Sequence, residues 1–253
     1  MKRGLQIGSI MIFLSWGSLA GAHSLWLNMD GHRQGIGQPI TIDIGWGHKF
    51  PRDGEIREGM LKEVVAIDAD GKKIPLEQLS KTAFQFVPQA EGVYVIWASV
   101  HPGFVSKTTE GYQMGPKTGL KKAVSCFHYD IRTKTFISVG DRRDMPVHTT
   151  GDPLEIIPLK DLFGLKQGAE LPVKIVFNGK PLVKAKVSAT YAGFSGNPNT
   201  FAHAVETDKD GTVRINLQEK GKWIVSVTHE IPYLDTKECD TNKYNVTMTF
   251  DVP

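Results

Sequence analysis

Eight histidines are the residues of this chain best suited to chemistry: His23, His32, His48, His101, His128, His148, His203 and His229. A neutral imidazole binds Ni²⁺, Co²⁺, Cu²⁺ and Zn²⁺ well. None of the eight falls in an H-E-x-x-H or H-x-H pattern, so a metal site would have to be assembled by the fold. His23 stands apart because of what precedes it. Lys2 and Arg3, an apolar stretch from Ile7 to Leu19 and the small residues Ala20-Gly21-Ala22 follow the pattern of a secretory signal peptide over residues 1–22. The apolar part is interrupted by Gly and Ser and is shorter than the roughly 18–20 residues of a spanning helix. Cleavage after Ala22 would place the chain in the periplasm, or otherwise outside the cell, with His23 as its first residue. The free amine and the imidazole would then share one residue and could close a chelate ring on a divalent transition metal. The plainer reading is that His23 merely follows a cleavage site.

His48 lies in Gly45-Trp46-Gly47-His48-Lys49-Phe50-Pro51, where small residues at a strand end let backbone and side chain approach a ligand closely. It suits a ligand and a loop histidine about equally. His101 follows the apolar run Val93–Val100 and precedes Pro102, and His128 sits in Cys126-Phe127-His128-Tyr129. A hydrogen-bonded strand histidine explains either one. As metal donors they extend the candidate set to His23, His48, His101 and His128. His203 and His229 are weaker candidates, and His32 and His148 read as solvated surface.

Other chemistry is poorly supported. Gly193-Phe194-Ser195-Gly196 lacks the spacing of a nucleophile elbow, no phosphate-binding glycine motif opens a helix, and the carboxylates are scattered singly. No enzyme is expected. The 30 basic and 27 acidic side chains nearly cancel, and loss of Lys2 and Arg3 would take the formal charge from +3 to +1, too small a field to favour nucleic acid. Met114, in the basic loop from Gly111 to Lys122, could serve as a soft ligand, although a lone loop methionine is usually an adaptable contact. In an exported chain Cys126 and Cys239 can pair. A buried pair of free thiols is the alternative, and without C-x-x-C spacing a thiolate metal centre is disfavoured.

The elements that would hold these residues are strands. In the first half, apolar and β-branched runs such as Leu25–Met29, Ile40–Ile44, Val64–Ile67, Phe84–Val87, Val93–Val100 and Thr135–Val139 alternate with Gly, Pro, Asp and Lys clusters. Leu171–Phe177, Ala185–Tyr191, Val213–Leu217, Trp223–Thr228 and Tyr244–Val252 continue the series in the second half. Asp70-Gly71 and Asp210-Gly211 read as hairpin turns, and the Asp-x-Asp-Gly strings around them fail the spacing of a calcium loop. The pattern predicts an all-β fold of two β-sandwich domains, 23–139 and 169–253, the second immunoglobulin-like or transthyretin-like. A proline- and glycine-bearing linker is expected over 140–168.

Several strings together resemble the periplasmic component of cobalt/nickel ABC-type uptake systems. They include His23-Ser24-Leu25-Trp26-Leu27, Gly47-His48-Lys49-Phe50-Pro51, Pro153-Leu154-Glu155-Ile156-Ile157-Pro158-Leu159 and Thr207-Asp208-Lys209-Asp210-Gly211. The resemblance spans nearly the whole chain beyond residue 22. It implies a β-sandwich protein that receives Ni²⁺ or Co²⁺ and passes it to a membrane metal permease, with His23 and His48 at the matching positions. Two rivals remain. One is a carbohydrate-binding or adhesion β-module using Trp26, Trp46, Tyr112 and Trp223 as a stacking face. The other is a copper redox protein built on a histidine brace, which needs a second histidine beside the amine of His23.

Overall fold

Gly92–Val100 reads GVYVIWASV, and both of its faces are buried. Val93, Val95 and Trp97 point into a core shared with Ile156, Leu171, Trp223 and Met248. Tyr94, Ile96, Ala98 and Val100 point the other way, into a core with Leu25, Leu27, Ile42 and Phe84. Since side chains alternate across a strand, this one lies in the middle layer of three. The computed structural model describes residues 23–141 and 150–253. The expected leader, 1–22, and His148 lie outside the described residues.

The fold is all-β and forms two sandwich cores. Its middle sheet runs in the order His203–Glu206, Lys186–Tyr191, Gly221–Pro232, Thr241–Val252, Ala123–Val139, Gly92–Val100, Leu61–Ile67, Lys73–Pro75. The two halves of the chain meet where Ala123–Val139 pairs in parallel with Thr241–Val252, Phe127 opposite Thr241 and Thr135 opposite Thr249. One outer sheet, Ser24–Met29, Ile40–Gly47, Ala83–Phe86 and Glu77–Gln78, covers one face. The other, Leu154–Pro158, Glu170–Phe177, Lys180–Pro181 and Thr212–Asn216, covers the opposite face. Each fully buried Leu or Ile in these cores contributes roughly 1.5–3 kcal/mol. Among the described residues no helix is long and apolar enough to cross a membrane.

Two features depart from the sequence expectation. Residues 140–168 are not simply a linker: Leu154–Pro158 pairs antiparallel with Glu170–Phe177, and Leu162, Phe163 and Leu165 are buried. The strand reads Leu-Glu-Ile-Ile-Pro, follows directly on Pro153 and ends on Pro158, and those prolines hid it. The halves also share a sheet instead of standing as separate bodies. Where Ser24–Met29 crosses the middle sheet, threonines replace apolar side chains. Thr249 donates to the Leu27 carbonyl at 2.9 Å, Thr247 to Thr133 Oγ1 at 2.8 Å and Thr135 to the Thr249 carbonyl at 2.8 Å. These β-branched residues suit a strand, and every one of these buried hydroxyls has a hydrogen-bond partner.

The two Asp-x-Asp-Gly strings form turns of the same design. Asp68 Oδ1 accepts from the N–H groups of Asp70 and Lys72, and Asp208 Oδ1 from those of Asp210 and Thr212. Cys126 and Cys239 form a disulfide closing 113 residues of chain. On the chain-entropy account a loop of that length contributes about 4–5 kcal/mol. It ties the start of Ala123–Val139 to the segment leading into Thr241–Val252.

Candidate metal centre

The end of the Ile40–Gly47 strand is shaped by two glycines for different reasons. A Cβ on Gly45 would stand 1.8 Å from Trp26 Nε1, so only glycine lets the buried indole lie flat across the strand. Gly47 has φ +138°, and a Cβ there would come within 2.3 Å of Asp53 Oδ2. The space left free is used at once: the N–H of His48 donates to Asp53 Oδ2 at 2.6 Å. The turn beyond is fastened from the neighbouring strand, because Trp26 Nε1 and Asn28 Nδ2 both donate to the Pro51 carbonyl, at 3.0 and 3.1 Å. The His48 carbonyl accepts from Asn199 N at 2.8 Å, which attaches the second-half loop to the same place. His48 is therefore held at both its backbone N–H and its carbonyl, and the turn after it is pinned at Pro51.

Ser24 lies opposite Gly47 in the antiparallel pair, so His23 and His48 extend from the same end of two adjacent strands. Their ring centroids are 4.3 Å apart with 32° between planes. The His23 ring also stacks on Trp46, 5.2 Å away and 3° from parallel. Partial burial pushes the His23 pKa below the ordinary imidazole value, the neighbouring His48 adds to the effect, and Asp53 opposes it. A neutral imidazole is the form that binds a metal. Two ring nitrogens supply half of a tetrahedral set. Among the described residues no group of three or more His, Cys, Asp or Glu side chains is arranged to hold a metal ion. An amine at His23 is the donor that would take the pair to three nitrogens.

His101 and His128 do not join this pair. His101 is exposed just past the Gly92–Val100 strand, where its N–H is bonded to the Met60 carbonyl. His128 is held by Asn242 Oδ1 at 3.1 Å and packs against Phe104 and Tyr233, with ring centroids at 4.8 and 5.8 Å. Its strand position directs it to an aromatic nest near the disulfide. His32, expected on the solvated surface, is instead half-buried, with Nδ1 2.7 Å from the Phe136 carbonyl and Nε2 3.5 Å from Asp251. His203 is paired with Gln218 Oε1 at 2.7 Å, and His229 packs edge-on against Phe177. Trp26 and Trp223 are 1% and 0% exposed, which removes both from any sugar-stacking face. Asp53 carried no sequence signal, and although Trp46 belongs to the string around His48, its stacking on His23 follows only from the strand pairing.

The family model described as a domain of unknown function, DUF4198, matches residues 20–231. The chain belongs to the DUF4198 family. No curated protein matches this DUF4198 chain. Among solved structures, it is similar to the fibronectin(III)-like modules of Clostridium thermocellum CbhA at 10% identity. That match covers 89% of this chain and 94% of that one, with a TM-score of 0.22. The D0-D1 domain of intimin aligns at 12% identity over 91% and 100% of the two chains, with a TM-score of 0.24. The amphioxus IgVJ-C2 molecule aligns at 10% identity over 87% and 98%, with a TM-score of 0.22. Likenesses of this size say nothing about the role of the DUF4198 chain.

Proposed function

We propose that this is an exported carrier of a divalent transition metal, nickel or cobalt, which it hands to a membrane permease of an ABC-type uptake system. One observation carries the reading: the His23 and His48 rings lie 4.3 Å apart, tilted by 32°, at the ends of neighbouring strands, on a backbone that Gly47 and Asp53 hold in place. Signal cleavage after Ala22 would add the terminal amine, giving three nitrogens and leaving positions open for exchange with a partner. Imidazole and amine donors suit Ni²⁺ and Co²⁺, and a site with open positions suits a cargo that must leave. The resemblance to cobalt/nickel uptake components supplies the choice of metal and partner.

The same three nitrogens would form a copper brace, so copper redox chemistry is the second reading. Intrinsic affinity rises from cobalt through nickel to copper, so selectivity must come from geometry and supply. The test is N-terminal sequencing of exported protein followed by calorimetric titration with Ni²⁺, Co²⁺, Cu²⁺ and Zn²⁺. A chain starting at His23 that binds Ni²⁺ or Co²⁺, and loses at least about 10-fold in affinity on His23→Ala or His48→Ala, supports the carrier. Turnover of an oxidant by the copper form alone would favour the brace, and no metal binding at all would overturn both.

A further inference from the structure

The basic segment that contains Met114 includes a free sheet edge. Gly103–Thr108 pairs on one side with Ala123–Val139 and on the other with Gly111–Met114, which pairs with no further strand among the described residues. Tyr112 lies opposite Lys107 and Met114 opposite Val105. One residue on, Gly115 N–H donates to the Phe104 carbonyl at 2.9 Å. Antiparallel bonds join opposite residues at every second position, so Gly111, Gln113 and Gly115 bond inward. The N–H and C=O groups of Tyr112 and Met114 therefore point out from the edge. Among the described residues no turn, loop or side chain bonds them. The strand reads Gly-Tyr-Gln-Met, with neither charge nor proline to turn a further strand away.

The side chains beside this edge are apolar and uncovered. Opposite residues share a face, so Tyr112, Lys107 and Ser125 form one row across three strands, and Met114, Val105 and Phe127 the next. Tyr112 is 56% exposed and Met114 61%, while Val105 and Phe127 are half-buried. The platform is fixed at its base. Cys126 N–H donates to Asp240 Oδ2 at 2.7 Å, Lys117 pairs with the same carboxylate, and Lys117 N–H donates to the Glu238 carbonyl at 2.8 Å, beside the disulfide.

Charge selects the occupant. Residues 103–125 carry Lys107, Lys117, Lys121 and Lys122 against Glu110 alone. Lys117 and Lys122 are paired, with Asp240 and Glu110, whereas Lys107 and Lys121 are exposed and have no ion pair among the described residues. A second copy would bring the same positive surplus to the seam, and like charges oppose that pairing. A bilayer would meet the hairpin tip, Thr109-Glu110, which is polar and acidic and so unsuited to insertion. An extended acidic segment of another protein satisfies the free main chain and the surplus charge together.

We infer that Gly111–Met114 is a docking edge to which a partner protein adds an extended acidic strand. Its main chain bonds Tyr112 and Met114, its apolar side chains cover theirs, and its carboxylates are drawn by Lys107 and Lys121. No part of the inference depends on the metal pair.

The test is fluorescence anisotropy of labelled ten-residue peptides added to the purified protein, one of alternating valine and glutamate and one of alternating valine and lysine. The acidic peptide binds and the basic one does not, and hydrogen exchange at the Tyr112 and Met114 amides slows at least about 10-fold in the complex. Met114→Pro removes an outward N–H and no ladder bond, a position where a strand tolerates proline. It weakens binding at least about 10-fold with unchanged thermal melting, while Met114→Leu binds within about 2-fold of the wild type. Lys107→Glu combined with Lys121→Glu, both exposed, also weakens binding at least about 10-fold. No binding of the acidic peptide, equal binding of the basic one, or full affinity in Met114→Pro or in the lysine double variant would overturn the inference. So would binding of phosphatidylglycerol vesicles that displaces the peptide, or a dimer in sedimentation that Met114→Pro abolishes.

Discussion

The backbone N–H of His48 donates to Asp53 Oδ2 at 2.6 Å, through the space that a side chain at position 47 would occupy. This contact fixes where one imidazole stands, and His23 is placed against it by strand pairing alone. The division of labour among the histidines follows. Ni²⁺ affinity should fall at least about 10-fold for His23→Ala and for His48→Ala, and stay within a factor of two for His101→Ala and His128→Ala. Parallel titrations of the four variants check this, and a large loss on His128→Ala would move the site.

Gly45 is a steric requirement for the same turn. In Gly45→Ala the new methyl meets Trp26 Nε1, so the indole must shift and its bond to the Pro51 carbonyl is lost. Overpacking of this kind costs about 1–3 kcal/mol. Guanidinium unfolding should show that loss, and metal affinity should drop with it because Pro51 anchors the loop that carries His48.

His23 sets a pH dependence whose sign is fixed by the lowering of its pKa. Below about 6.5 the unfolded chain takes up the proton that folded His23 resists, so stability of the metal-free protein falls as pH drops through the window under 6.5. Metal binding weakens over the same window, because the proton and the ion compete for one nitrogen. Thermal melts between pH 7.5 and 5 should show the decline in the wild type and a shallower one in His23→Gln. Equal slopes would remove His23 as the cause.

The disulfide should contribute much of the stability at the junction of the two halves. Replacing both Cys126 and Cys239 by Ser is expected to cost about 4–5 kcal/mol, read from denaturant midpoints. Adding reductant should bring the wild type close to the double variant and leave that variant unchanged.

Some of this was legible in the residues themselves. The glycines flanking Trp46 and His48 announced a strand end with tight approach, and the Asp-Gly pairs announced turns, because both are local matters of backbone freedom and hydrogen bonding. Leu154–Pro158 was hidden because its bounding prolines are equally at home in a linker. His101 and His128 could not be separated from His48, since the difference lies in which strand each one neighbours. That depends on pairing over long separations, as with His128 opposite Asn242. The run from Val93 to Val100, apolar but for Ser99, has the pattern of a strand covered on both sides. Its meaning emerges only when two further sheets are seen to lie against it.

Because one strand supplies the inward surface of both cores, neither half of this chain is a module that could be cut out and kept. A fragment ending near Val139 would present the row of Val93, Val95 and Trp97 to water and would be prone to clump. The remainder would lack the floor on which its own sheet rests. Inheritance, folding and any loss through mutation should therefore concern the whole chain at once.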